Sequence, residues 1–375
     1  MTPKQLILID IFIAFPLKVL SIILSFCRRT KNKDYGSSVL IIKFLGAGNF
    51  VAYADIINNE KFTVLTVLNN KATLQKFTPN VKTIFIDESS LLKLAMTIIQ
   101  SSIILLRSSF SLVVNLESES SFAKFISSLP RANRRSGISN KHKSIFDPLF
   151  YSFFLVAPAL LSRPLVLKAL IAYDANINLD IKEALIAHNN EVDFFSVSDV
   201  GDSVIIAPTC SLTDANRRLT DQSWQVICRY LVGLFQSLVV VFPNSDDPQY
   251  DFFVTLSKEI PEIDIQVDGY KQFVETVLSA SLLITIDSQA LHVAQHKNIP
   301  TIAFYGPTSP YGVELGSNTY VISRSLLCSP CTHKYLRLPC QGENYCSQFR
   351  EYEITEALNA VFSKKYNRNW SSVMP

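Results

Sequence analysis

The sequence predicts an α/β chain of two doubly wound, mostly parallel sheets, preceded by a hydrophobic N-terminal helix. Three observations carry this expectation. Short β-branched runs alternate with helix-length segments from Ser37 onward, the pattern of strand–helix–strand units. Several of these runs are apolar throughout, as strands buried on both faces are. The pattern also occurs twice, and 375 residues suit two domains of roughly 100–200 residues each.

Composition excludes other classes. Hydrophobic residues make up 48% and charged residues 18%, against about a quarter charged in ordinary domains, so a mainly disordered chain is ruled out. Eleven Gly and 17 Pro exclude a collagen-like or low-complexity chain. A net charge of +3 is too even for a dedicated nucleic-acid binder, and seven Cys are too few for a disulfide scaffold.

The first element, within residues 1–33, is the apolar run from Leu6 to Phe26. It is long enough to cross a hydrocarbon core of about 30 Å as a helix. Arg28, Arg29, Lys31 and Lys33 follow it, and by the positive-inside rule they keep the rest of the chain cytoplasmic. No small-x-small cleavage site follows, which speaks against a signal peptide. Asp10, Ala14, Lys18, Ser21 and Ser25 fall on one stripe at helical spacing. A helix lying in the interface tolerates that stripe, whereas a spanning helix is penalised for Asp10 and Lys18. Spanning, in-plane and core-packed geometries stay open. A membrane partner is expected.

Candidate strands of the first domain, residues 36–185, are Val39–Lys43, Phe62–Val67, Thr83–Ile86 and Leu112–Asn115. Those of the second, residues 200–365, are Val204–Ala207, Leu238–Phe242, Leu282–Ile286 and Thr301–Phe304. A polar stretch around His188 to Asp202 separates the groups, and the architecture implied is two Rossmann-like domains facing a cleft. Leu149–Leu161 is apolar but interrupted by Pro158, and reads as a buried or cleft-lining helix.

Chemistry concentrates where strands end. The first strand runs into Lys43-Phe44-Leu45-Gly46-Ala47-Gly48-Asn49, where glycine permits close approach to the backbone and a helix N-terminus follows. The dinucleotide-binding spacing is absent, so an NAD site is rejected. In the second half Thr209 and Ser211 precede Arg217 and Trp224, giving hydroxyls and a cation to meet phosphate oxygens. Asp246 and Asp247 follow the next strand, placed to accept from ribose or sugar hydroxyls. The strongest signal is Thr285-Ile286-Asp287-Ser288-Gln289-Ala290-Leu291-His292, then Phe304-Tyr305-Gly306-Pro307-Thr308-Ser309-Pro310. Asp287 and Ser288 are expected to cap a helix whose first N–H groups suit a diphosphate.

This block resembles the Asp-Ser-Gly-x-x-His…Phe-Gly-Pro-Thr-x-Pro signature of glycosyltransferase family nine, the ADP-heptose:lipopolysaccharide heptosyltransferases. Gly48-Asn49 falls where that family has Gly-Asp. Ala132-Asn133-Arg134-Arg135-Ser136-Gly137 is similar to its Ala-x-x-Arg-x-Gly element, and Arg217 precedes Trp224 as the family's donor-binding Lys precedes its Trp. The resemblance implies a GT-B fold and transfer of a heptose or related sugar from a nucleotide diphosphate to a lipid-linked glycan, with no catalytic metal. It implies donor contacts from Thr209, Ser211, Arg217, Asp246, Asp247, Asp287, Ser288, Gln289 and His292. It also implies acceptor contacts from Gly46 and Gly48, and from Arg134 and Arg135 within the basic stretch Arg131 to Lys143. It places the protein at the cytoplasmic face of a bacterial inner membrane, in lipopolysaccharide or surface-glycan assembly.

Two departures stand out. Gln289 replaces the motif's Gly, which matters only where φ is positive. Asn49 stands where the family's base is Asp, and an amide cannot take a proton from an attacking hydroxyl. Glu117, Glu119 and Asp55 are the replacement candidates, with Glu117 best placed just past a strand's carboxyl end. A catalytically impaired nucleotide-sugar binder is the alternative, and an epimerase on the same fold a third reading. Finally, Cys328-x2-Cys331-x8-Cys340-x5-Cys346 contains zinc-ligand spacing with His333 nearby, so a structural zinc is set against unligated thiols.

Overall fold

The computed structural model describes residues 19–29, 35, 37–44, 46–117, 120–139, 147–156, 163–172, 203–267, 269–310, 318–324, 326, 328–331 and 340–362. The chain divides into two compact units, Met1–Asn178 and Leu179–Pro375.

In unit 1, β1 (Val39–Ile42), β2 (Phe62–Val67), β3 (Lys82–Ile86), β4 (Ser109–Asn115), β5 (Arg131–Ser139) and β6 (Phe153–Val156) form one sheet. Its order is β3-β2-β1-β4-β5-β6, and every pairing is parallel. Unit 2 repeats the plan with β7 (Val204–Ala207), β8 (Leu238–Phe242), β9 (Ile263–Val267), β10 (Leu282–Ile286), β11 (Thr301–Tyr305) and β12 (Thr319–Ser323). Its order, β12-β11-β10-β7-β8-β9, is the same topology, again all parallel. In each sheet the winding direction reverses beside the first strand, at β1/β4 and at β7/β10. Open parallel sheets bind ligands just beyond the carboxyl ends at this reversal.

The continuous apolar runs explain the double burial. In β1, Val39 and Ile41 face a core shared with Phe50, Tyr53 and Ile57 of the helix Ala47–Ile57 and Leu167 of the helix Arg163–Ala172. Leu40 and Ile42 face the opposite core, with Leu105 of the helix Leu91–Arg107 and Ile126 of the helix Ser121–Ser128. A side-chain period of two leaves no polar position on a strand covered on both sides. In unit 2, Trp224 on the helix Asp221–Val232 is fully buried against Phe253. Each such side chain contributes about 1.5–3 kcal/mol by leaving water.

Four strands differ from the sequence expectation. β5 carries Arg131, Arg134 and Arg135, so it does not read as an apolar run. β9 and β12 are edge strands with partly exposed faces, β9 carrying Asp264 and Gln266. The expected helix Leu149–Leu161 is corrected: Asp147–Phe150 is one short helix, and Phe153–Val156 pairs with β5 as an edge strand. Periodicity cannot separate a short buried strand from a buried helix, and pairing decides.

Of the N-terminal segment, residues 1–18 and 30–34 lie outside the described residues. Residues 19–27 form a helix. Its stripe of small polar residues turns inward, with Ser21 1% and Ser25 4% exposed. Among the described residues, no helix is long and apolar enough to cross a membrane.

Candidate functional site

In unit 1 the reversal point holds an ion pair. Lys43 leaves the carboxyl end of β1, Glu117 lies just past β4, and Lys43 Nζ approaches Glu117 Oε1 at 3.0 Å. The same oxygen accepts from Phe44 N–H at 2.7 Å, while Glu117 N–H donates to Asn115 Oδ1 at 3.0 Å. Glu117 therefore sits where the sequence put it, and it clamps the loop that precedes the helix Ala47–Ile57. Within that loop Gly46 adopts φ 84°, which only glycine takes without strain. A Cβ there would fall 2.9 Å from Asn49 Nδ2, a side-chain end that can shift, so it is the conformation that requires Gly46. Gly48 and Asn49 are buried in the first turn of the helix. Asp55 is exposed further along it, away from the buried face that carries Asn49. Glu119 lies outside the described residues.

The two arginines offered for the acceptor separate. On β5, Arg134 is exposed, whereas Arg135 is 3% exposed. Arg135 Nε donates to Ser127 O at 3.1 Å and Nη2 to Pro130 O at 2.8 Å. Burial, then Arg29 and Arg28, lower its pKa to about 10. Arg135 thus braces the turn before β5, and Arg134 is the arginine of the pair presented outward. Lys141 and Lys143 lie outside the described residues.

Unit 2 has its own pair at the equivalent reversal point. Arg217, closing the 3-10 turn Leu212–Arg217 after β7, approaches Asp287 Oδ2 at 3.5 Å and donates toward Asp287 O at 3.4 Å. Asp287 follows β10, and it and Ser288 are 5% and 6% exposed. Ser288 is the N-cap of the helix Gln289–His296, yet its side chain makes no capping bond. Its hydroxyl instead meets Thr285 Oγ1 at 3.2 Å, and Thr285 Oγ1 donates to Ala207 O at 2.7 Å, tying β10 to β7. The expected side-chain cap is corrected accordingly: Ser288 starts the helix without covering its first N–H groups. Gln289 is the first helical residue, not a positive-φ position, so the missing glycine costs nothing in backbone strain. Gln289 Nε2 donates to Tyr270 OH, and buried His292 Nδ1 lies 3.3 Å from Gln295 Oε1.

The aspartates after β8 part company as well. Asp247 makes a bidentate pair with Arg218 at 2.6 and 2.8 Å, and Arg218 Nη2 also donates to Cys210 O at 3.1 Å. Both side chains are nearly buried. Asp247 therefore joins the loops after β7 and β8, leaving Asp246 as the exposed carboxylate of the two. Thr209 is buried and Ser211 exposed on the loop after β7. Sequence reading singled out Arg217 and passed over Arg218, because only the folded loop brings Asp247 to it.

The Gly-Pro-Thr loop after β11 is packed by the late cysteines. A Cβ at Gly306 would strike Ser347 Oγ and lie 3.6 Å from Cys346 Sγ. Ser329 Oγ donates to Gly306 O at 2.6 Å and Cys331 N–H to Pro307 O at 2.9 Å. Burial, with Cys331 and Cys328 nearby, raises the Cys346 thiol to about 11. Among the described residues, no three His, Cys, Asp or Glu side chains converge as a metal-holding group, and His333 lies outside them. Cys331 and Cys346 lie against this loop.

The family description Glycosyltransferase family 9 (heptosyltransferase) matches residues 269–341, from the helix Gly269–Leu278 through β10 and β11 to Cys340 and Gln341. Solved structures share the fold. The Veillonella parvula family 9 glycosyltransferase has a TM-score of 0.59 at 13% identity, covering 88% of this chain and 99% of its own. ADP-heptose lps heptosyltransferase II of E. coli gives 0.57 at 14%, covering 86% and 98%. E. coli heptosyltransferase WaaC with ADP gives 0.54 at 14%, covering 76% and 92%. A curated relative, terminal nucleotidyltransferase 5B of Xenopus tropicalis, is 28% identical over 100 residues, and the chain spans only 25% of its length. Residues 269–341 thus carry the glycosyltransferase family 9 (heptosyltransferase) signature, on a chain whose fold is heptosyltransferase-like.

Proposed function

We propose that this protein transfers a heptose or related sugar from a nucleotide diphosphate donor to a lipid-linked acceptor during lipopolysaccharide or surface-glycan assembly. The observation that carries the reading is the Arg217–Asp287 pair. It joins the ends of β7 and β10 at the winding reversal of unit 2, beside a helix N-terminus, within reach of the segment that matches family 9. A guanidinium and first-turn N–H groups are suited to a diphosphate. Arg217 would hold the phosphates, with Asp287, Ser288, Gln289, Thr209 and Ser211 around them, His292 bracing the helix and Asp246 meeting a sugar hydroxyl. Relatives of the same fold have been seen with ADP and with ADP-2-deoxy-2-fluoro heptose, which makes an ADP-linked sugar the first donor to try.

In unit 1, Gly46, Gly48 and exposed Arg134 would receive an anionic acceptor, with Glu117 as the proton acceptor in place of Asn49. The N-terminal 33 residues would hold the protein at the cytoplasmic face of a bacterial inner membrane. Donor binding by calorimetry, followed by transfer to a lipid-linked acceptor, tests the reading; no binding of any nucleotide sugar would remove it. The impaired-binder reading is favoured by one specific observation, the occupation of Glu117 Oε1 by both Lys43 and Phe44 N–H. Under it, donor binds but neither transfer nor donor hydrolysis follows.

A further inference from the structure

The outward side of the helix Leu91–Arg107 is apolar along its length. This helix crosses from β3 to β4 and packs Leu94, Ile98 and Leu105 into the core beneath it. On the other side Leu92, Met96, Ile99, Ile103 and Leu106 are between 42% and 72% exposed. Steps of four, three, four and three residues put these five on one stripe about 80° wide, in the middle of the exposed face. Surface helices ordinarily carry charge there. Lys93, Gln100 and Arg107, all exposed, form a parallel polar row along one side.

The helix over residues 19–27 covers the same face of the sheet. Leu24 packs into the same core, and Arg28 Nη2 donates to Leu106 O at the end of the longer helix. While Ser21 and Ser25 turn inward, Val19, Leu20, Ile23 and Phe26 are 39–57% exposed. Arginines crowd this end. Residues Arg28 and Arg29 lie along the start of β5, where Arg29 bridges Ala132, and Arg131 and Arg134 are exposed on that strand. Burial and then Arg131 lower the pKa of Arg28. At the far end of the helix, Lys93 lies 3.9 Å from Asp87, so the cationic excess is at the Arg28 end.

We propose that the outward faces of Leu91–Arg107 and residues 19–27, with the arginines beside them, form a docking surface for an anionic phospholipid bilayer. The stripe lies in the membrane plane with its leucines and isoleucines among the acyl chains, and the guanidiniums meet headgroup phosphates. An apolar helix face flanked by Lys and Arg has this chemistry. Several crowded cations call for several anions side by side, which a headgroup layer supplies; a second copy of this chain brings the same cations back. The inference rests on the reading that the protein works at a membrane, but it adds a contact on a helix remote in sequence from the first 33 residues.

The test uses the full chain and extruded vesicles of phosphatidylcholine with phosphatidylglycerol. Ile99→Trp places a fluorophore in the middle of the stripe, and lipids brominated on their acyl chains quench only what reaches them. The expected result is quenching of Ile99→Trp beyond that of the wild type. Leu92→Glu/Ile99→Glu/Ile103→Glu is expected to lose about tenfold or more in vesicle affinity. Should that triple variant fail to fold, the tryptophan reporter still decides. An Ile99→Trp variant that binds vesicles with no quenching beyond the wild type overturns the docking surface and leaves attachment to the first 33 residues standing. No binding of the wild type to anionic vesicles overturns both. A dimer in the absence of lipid that the triple variant dissolves makes a second copy the occupant and overturns the bilayer assignment.

Discussion

Replacing Arg218 by alanine should destabilise unit 2 strongly, whereas replacing its neighbour Arg217 should destabilise it less and weaken donor binding. The structure supplies the magnitudes. Arg218 is 8% exposed and meets both oxygens of Asp247, itself 6% exposed, at 2.6 and 2.8 Å. Removing one member of such a pair strands the other charge in a poorly solvated place, which costs about 3–5 kcal/mol. Arg217 approaches Asp287 at 3.5 Å, a longer and single contact, but Asp287 is itself only 7% exposed, so losing the contact costs about 1.5–3 kcal/mol, less than the bidentate Arg218 pair. A charge-assisted bond to the donor phosphate is worth about 1.5–3 kcal/mol, so Arg217→Ala should raise the donor Kd by roughly tenfold to 150-fold. Urea unfolding followed by tryptophan fluorescence reads unit 2 through Trp224, which is buried in its core. Calorimetry with an ADP-linked sugar reads the other half. In the double variant Arg218→Met/Asp247→Leu, most of the lost stability should return, since no charge is left stranded. An unchanged urea midpoint for Arg218→Ala, or equal donor affinity in Arg217→Ala and wild type, refutes the assignment of the two roles.

Glu117→Gln should slow transfer by about 10²–10⁴-fold with donor affinity unchanged, the scale for losing a general base; a rate within a factor of two of wild type removes Glu117 as the base. Asn49→Asp should raise the rate if the amide merely replaced the family's carboxylate, and an unaltered rate with a crippled Glu117→Gln assigns the proton to Glu117. Unit 2 should lose stability as pH rises from about 9 toward 11. Burial lifts the folded thiols of Cys228 to about 12 and Cys346 to about 11 from an ordinary 9.0. Over that range the unfolded chain releases protons that the folded one retains, so the contribution is intact below pH 9 and fades above it. Flat urea midpoints between pH 8 and 11 would contradict that burial. Elemental analysis of protein purified without added metal decides between the two cysteine readings: one zinc per chain assigns a structural site, and substoichiometric zinc with four alkylatable thiols at Cys328, Cys331, Cys340 and Cys346 assigns unligated cysteines.

The sequence by itself determined the two-fold α/β plan, because strands buried on both faces must be apolar throughout and helices must bridge parallel neighbours. Val39–Ile42, Phe62–Val67 and Leu282–Ile286 were legible for that reason. It also marked the loops that gather at the strand ends, through glycine at positive φ in Gly46 and the Asp287–His292 block. Tertiary structure alone decided which polar residues do what. Arg134 and Arg135 are adjacent in sequence, but a strand sends one outward and buries the other on backbone carbonyls. Asp246 and Asp247 divide in the same way once Arg218 folds onto the second. The apolar residues of Leu91–Arg107 read as core in one dimension, since hydropathy says that a side chain avoids water and not which neighbour covers it. Only the packed sheet shows that Leu94, Ile98 and Leu105 use up the inner face, leaving Leu92, Ile99 and Ile103 on the outer one.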